Sequence, residues 1–141
     1  MAMVMIDNQP SNVLSGESLM AIVGNNDGVA ITVNTLNEYQ QKAKSTAVYP
    51  KEMGLVYTTL GLSGESGEVA EKVKKLIRDH GGVLDDEYRA KIAKELGDVL
   101  WYVAMVAHEI GYTLQDIAAG NNIKLASRKD RDQLHGDGDN R

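Results

Sequence analysis

The sequence predicts a mainly α protein, a four-helix bundle preceded by a small β-hairpin. Three observations lead there. From about residue 36 onward apolar residues recur at helical spacing, Gly and Pro fall between the periodic segments, and Thr or Asp stands ahead of three of them. Before that point the pattern differs: two β-prone runs, 19–23 and 29–33, flank Gly24-Asn25-Asn26-Asp27-Gly28, and Asp-Gly in a short polar link is a hairpin signal. Two strands alone are marginal in water, so this hairpin has to pack on the helices or on another subunit.

The chain's 141 residues, 43% hydrophobic and 25% charged, suit one globular domain. The expected organisation is an arm and hairpin over residues 1–34, an all-α domain over 35–131 and a flexible tail over 132–141. Thr35 and Glu38 have the form of a capping box and start a first helix over residues 36–47, with Pro50 closing the region. A second helix begins near Lys51, carries Leu55, Leu60, Leu62, Val69, Val73, Leu76 and Ile77, and stops at Gly81-Gly82. Gly61, Gly64 and Gly67 each weaken that helix by up to about 1 kcal/mol relative to Ala. They imply close backbone approach, room for a ligand, or both. Asp85 or Asp86 caps a third helix over residues 87–110, closed by Gly111. Its apolar run, 99–107, reads as a buried helix. Thr113 caps a fourth, 114–129, on which Leu114, Ile117, Asn121, Lys124 and Arg128 share a stripe that passes from apolar to cationic.

Lys and Arg total 15 against 20 Asp and Glu, a formal net charge of −5, so a nucleic acid polymer is not the expected partner. With no cysteine, disulfides, thiolate catalysis and Cys-based zinc sites drop out, which suits a reducing cytoplasm. Residues 1–34 contain no Lys or Arg, so the charged start of a secretory signal is missing, and no apolar run reaches membrane-spanning length. A cytoplasmic protein without a membrane partner is expected.

Two acidic phrases carry the chemistry. Gly64-Glu65-Ser66-Gly67-Glu68 and Glu95-Leu96-Gly97-Asp98 each place two carboxylates three residues apart. On a helix that leaves the two about 60° apart on one face. One such pair is ordinarily a solvated face. Two pairs, each inside an apolar segment and so aimed toward a core, need neutralisation, because unpaired buried charge is costly. Glu95, Asp98, Tyr102, Met105 and Glu109 also fall on one helical face. If the two helices run antiparallel, the pairs converge on an all-oxygen centre suited to Mg²⁺ or Mn²⁺, whereas zinc would want His or Cys. Metal held by carboxylates in turn attracts phosphate.

The segments from Leu62 to Glu71 (LSGESGEVAE) and from Glu95 to Tyr102 (ELGDVLWY) resemble the MazG family of all-α nucleoside triphosphate pyrophosphohydrolases. The later Asn122-Ile123-Lys124-Leu125-Ala126-Ser127-Arg128 and the ending Gly136-Asp137-Gly138-Asp139-Asn140-Arg141 resemble the shorter members common in phages and bacteria. The resemblance spans residues 36–141. It implies a helical fold, usually completed by a second subunit in a homodimer or homotetramer. It implies Mg²⁺ held by Glu65, Glu68, Glu95 and Asp98. The implied reaction is cleavage of the α–β phosphoanhydride of a nucleoside triphosphate, deoxynucleotides included, to a monophosphate and pyrophosphate, in nucleotide-pool control. Many members carry a further Glu just before the first motif Glu; here that position is Gly64, leaving Glu65, Glu68 or a water activated by metal alone as the source of the base. Lys124 and Arg128 are candidates to offset charge on the leaving pyrophosphate, and Lys75 and Arg78 to reach a phosphate. Tyr102 or Trp101 is a candidate for stacking on the base, and Asn121 or Asn122 for reading its edge. Lys75 and Arg78 also suit the dipole at a helix end, and both aromatic rings also suit a core. The alternative reading is a non-catalytic helical module that binds metal and nucleotide. A ferritin-like di-iron centre would want Glu-x-x-His, which neither acidic phrase supplies.

Overall fold

A computed structural model describes residues 33–135. Its elements in chain order are α1 (Leu36–Lys44), a 3₁₀ turn (Lys51–Met53), α2 (Gly54–Asp79), α3 (Asp86–Glu109) and α4 (Leu114–Asp130). The described residues contain no strand. The expected hairpin lies outside them apart from Val33, as do the rest of the 1–34 arm up to residue 32 and the tail from residue 136.

Three of the four helices start on the expected caps. Thr35 Oγ1 accepts from the Glu38 N–H at 3.0 Å, while the Glu38 carboxylate reaches back to the Asn34 N–H at 2.9 Å. Asp85, not Asp86, caps α3 by accepting from the Tyr88 N–H at 2.9 Å, and Thr113 caps α4 by accepting from the Asp116 N–H at 3.0 Å. The helix expected to run to residue 47 ends instead at Lys44. Its Ser45 and Thr46 hydroxyls donate to the Lys42 and Ala43 carbonyls at 2.6 and 2.7 Å, taking acceptors that another helical turn would have used.

α2 and α3 form a long antiparallel hairpin that reverses at Gly81 and Gly82, whose φ values of 62° and 76° are left-handed. Pairing across it runs from Gly54 against Glu109, through Gly61 against Tyr102, to Lys72 against Glu95. α1 crosses the far end of α3, and the buried Gln40 ties the junction. Its amide donates to the Ala104 and Tyr112 carbonyls at 3.2 and 3.1 Å and accepts from the Leu114 N–H at 3.0 Å. Around it sit the core residues Ala43, Ala104, Met105 and Leu114, with Tyr39, Ala47, Tyr49, Trp101 and Val103 packed on them. α4 rests on α1 and α3, and among the described residues its backbone stays clear of α2.

This core covers only part of α3. Of the run expected to be buried, 99–107, Ala104, Met105 and Ala107 are enclosed, but Leu100 is 40% exposed. The reason is geometric: α2, α1 and α4 cover some sides of α3 and leave one open. On α3 and its C-cap Ile110, the residues Ile92, Leu96, Val99, Val103, Val106 and Ile110 alternate at spacings of four and three residues, a seam of the kind that pairs helices, and all are half-buried or exposed. Leu55, Val56, Leu60, Val73 and Ile77 of α2 are exposed as well. No helix among the described residues is long and apolar enough to cross a membrane.

Candidate metal centre

The register of the α2–α3 hairpin decides which side chains meet. Gly61 lies so close to α3 that a Cβ there would overlap the Tyr102 ring. One turn further along α2 comes Glu65, and one turn back along α3 comes Asp98, so the acidic phrases face each other. Oxygen atoms of Glu65, Glu95 and Asp98 all lie within 4.8 Å of one another. Glu68, a turn beyond Glu65, is exposed and outside that group, yet near enough for its charge to act on Glu65.

The electrostatics record the crowding. Burial holds the Glu65 carboxyl above its ordinary pKa of 4.5, and the charges of Asp98, Glu95 and Glu68 add to the effect in that order. The expectation that these carboxylates point into a core needs correcting, because Glu65 and Glu95 are half-buried whereas Glu68 and Asp98 are exposed. The group sits in an open groove between two helices, where water and ions reach it. Three hard oxygen donors of one charge, close together and accessible, fit a divalent cation such as Mg²⁺ or Mn²⁺ by their chemistry.

Aromatic side chains flank the acids toward the core. Burial raises the pKa of Tyr102, followed by the neighbouring Tyr57 phenol and the charge of Glu65. Tyr39 of α1 is likewise raised, first by burial and then by Asp98, which places its phenol in the field of the same carboxylate. Trp101 turns the other way: its indole N–H donates to the Thr46 hydroxyl and the Ala43 carbonyl at 2.9 and 3.2 Å, binding α3 to the end of α1. Its ring meets Tyr102 edge-on, with centroids 4.9 Å apart. Beyond it the Tyr49 hydroxyl donates to Glu109 at 2.6 Å, and burial together with that carboxylate pushes its pKa up to about 12.

Of the cations expected near a phosphate, Lys75 pairs with Glu71 at 3.3 Å and Arg78 with Asp79 at 2.6 Å, both partners lying on α2. Asn121, Asn122 and Lys124 are exposed on α4, so the stripe does not continue as a buried surface; Arg128 alone is buried. Among the described residues the α4 backbone packs on α1 and α3 and does not approach α2, which carries Glu65 and Glu68. Two contributors were missed in the sequence. Tyr39 lies on another helix and gave no local signal. Lys72, whose ammonium reaches Glu95 at 2.9 Å, carries no local signal that sets it apart from Lys74 and Lys75.

The profile of the MazG nucleotide pyrophosphohydrolase domain matches residues 56–131, more than half of the chain and all of the α2–α3 hairpin beyond its first two residues. The chain belongs to the MazG family. It is also 48% identical over 109 residues to the Gene 37 protein of Mycobacterium phage L5, an alignment covering 73% of this chain and 96% of that protein. No solved structure matches it. For a MazG-family chain, the facing acidic phrases lie inside the matched segment, and a nucleotide is the class of substrate the family implies.

Proposed function

We propose that this protein is a Mg²⁺-dependent nucleoside triphosphate pyrophosphohydrolase that cleaves the α–β phosphoanhydride of (deoxy)nucleotides, with residues 35–131 as its catalytic domain. The observation that carries the reading is the convergence of Glu65, Glu95 and Asp98 within a MazG-family hairpin. Glu68 completes the proposed ligand set from the next turn. Bound there, the metal would supply charge neutralisation and polarisation of the triphosphate.

The chain's own residues do the rest. The acidic groove favours a nucleotide whose phosphates arrive together with metal and disfavours bare anions. Glu68, exposed at the edge of the group, or Glu65 would take the proton of an attacking water, filling the role left open by Gly64. Tyr102 offers a ring within a turn of the carboxylates for the nucleoside. Lys75 and Arg78 would have to leave Glu71 and Asp79 to meet a phosphate. Lys124, Arg128, Asn121 and Asn122 lie on α4, whose backbone stays clear of α2 among the described residues, and would serve the site of a second subunit. The half-exposed apolar seam of α3 and the exposed Leu55, Val73 and Ile77 of α2 support a homodimer or homotetramer in which a second copy covers this face. The nucleotide pools of the cytoplasm would be the setting.

Incubation with Mg²⁺ and a panel of ribo- and deoxynucleoside triphosphates, with pyrophosphate and orthophosphate measured separately, tests the reaction type. Equal amounts of monophosphate and pyrophosphate are expected. Stepwise orthophosphate release would refute the reading, and nucleotide binding without turnover would favour a regulatory module instead. Light scattering on the same preparation checks the assembly, which a monomer mass would contradict.

A further inference from the structure

Lys72 differs from the other lysines of α2. Lys74 and Lys75 fold back on Glu71, three and four residues away on their own helix, with side chains 63% and 41% exposed. Lys72 instead crosses the hairpin to Glu95 at 2.9 Å, its side chain 26% exposed and that of Glu95 17%. Glu95 is a member of the three-carboxylate group. We propose that Lys72 is the resident counter-cation of the acidic group, holding Glu95 while the site is empty of metal and displaced from that carboxylate when a divalent cation binds.

The proposal rests on reading Glu65, Glu95 and Asp98 as the metal site, and charge balance supports it. Three carboxylates with oxygens inside 4.8 Å repel one another, and the ammonium on Glu95 offsets one of them while also facing Glu68 and Glu71. A divalent ion on the same carboxylate removes the need for it, and two cations sharing one Glu oxygen repel. Metal must therefore compete with Lys72 for Glu95, so removing the ammonium should tighten metal binding. A lysine serving only to clamp two helices predicts the reverse, since its loss would loosen the site.

Mn²⁺ titration of metal-free protein, followed by loss of the free-ion paramagnetic resonance signal, separates the cases. The proposal expects Lys72→Met to bind Mn²⁺ about threefold to tenfold more tightly than wild type. Lys72→Arg, which keeps the charge, should stay close to wild type, and Glu95→Gln should bind more weakly. Lys72→Gln, with a polar end, carries the same expectation as Lys72→Met should the methionine variant fold poorly. Thermal melts give a second readout: Mn²⁺ should raise the Tm of Lys72→Met by more than that of wild type, because tighter binding to the folded state adds stability. Unchanged or weaker Mn²⁺ binding in both neutral variants overturns the proposal while leaving the site intact, provided Glu95→Gln still weakens binding. Failure of wild type to bind Mn²⁺ at all overturns the site and the proposal together.

Discussion

From Gly54 to Gly61, α2 approaches α3 through missing side chains: a methyl on Gly54 would overlap the Glu109 carboxylate, and one on Gly61 the Tyr102 ring. From Glu65 to Lys72 the same two helices meet through charge, Glu65 facing Asp98 and Lys72 reaching Glu95. The first stretch is specified by shape. A half-turn slip would drive a ring into backbone, so this stretch sets the register. The second is specified by electrostatics and is unfavourable in itself, because like charges are brought together without a core around them. Its geometry is inherited from the packed stretch one turn away. A site of mutually repelling groups needs such a neighbour, since the Lys72–Glu95 pair offsets only part of that repulsion before a ligand arrives.

Changes in the charged stretch should cost function and leave the fold, and changes in the packed stretch should cost the fold first and function through it. The largest expected effect is on activity. Asp98→Ala should lower the rate by about a hundredfold or more while melting within a few degrees of wild type, because an exposed carboxylate that others repel contributes little to folding. Steady-state kinetics beside a thermal melt checks both halves. Next comes Gly61→Ala, which forces a methyl against the Tyr102 ring and should destabilise the fold by about 1–3 kcal/mol, measured by denaturant unfolding. Activity should fall with it, since the same displacement shifts the register of the acids.

The acids also set a pH dependence. Glu65 has its pKa raised above 4.5 in the folded, metal-free chain, so the folded state holds that proton more tightly than the unfolded one. The stabilisation is complete below about 4.5 and is lost as pH rises through the raised value. In chelator, Glu65→Gln should therefore gain on wild type as pH rises from 4.5 toward neutrality. With saturating Mg²⁺ the order should reverse, because the metal stabilises wild type through the ionised carboxylate. Paired melts across that range read out the crossing. The smallest effect belongs to Gly64→Ala. No atom lies within 4 Å of a Cβ there, so the change should stabilise α2 by up to about 1 kcal/mol, opposite in sign to Gly61→Ala less than a turn away on the same helix.

Local chemistry made the helices legible in the sequence. Thr35, Asp85 and Thr113 cap α1, α3 and α4 because a side-chain oxygen two or three residues from a free N–H needs no distant partner. The end of α1 was misplaced because Ser45 and Thr46 compete for carbonyls that sequence periodicity counts as helical. The acidic pairs were legible as well, since their spacing lies within one helix each. Their setting was not: which side of α2 and α3 is covered depends on packing, so groups expected near a core stand in a groove. Nor could the three glycines be told apart. Gly61 meets a ring, whereas Gly64 and Gly67 face open space, a difference of helix face rather than of residue type. Lys72 and Tyr39 join the group only through the hairpin register and the crossing of α1, which no single segment encodes.

The central claim is that the converging carboxylates of this hairpin support hydrolysis at the α-phosphorus. The most direct measurement is ³¹P NMR of the products formed from a deoxynucleoside triphosphate and Mg²⁺ in ¹⁸O-enriched water, with Asp98→Ala alongside. Pyrophosphate at its natural isotope content together with ¹⁸O-labelled monophosphate, both absent with Asp98→Ala, is the predicted result. Labelled orthophosphate as the first product, or labelled monophosphate formed equally well by Asp98→Ala, would contradict it.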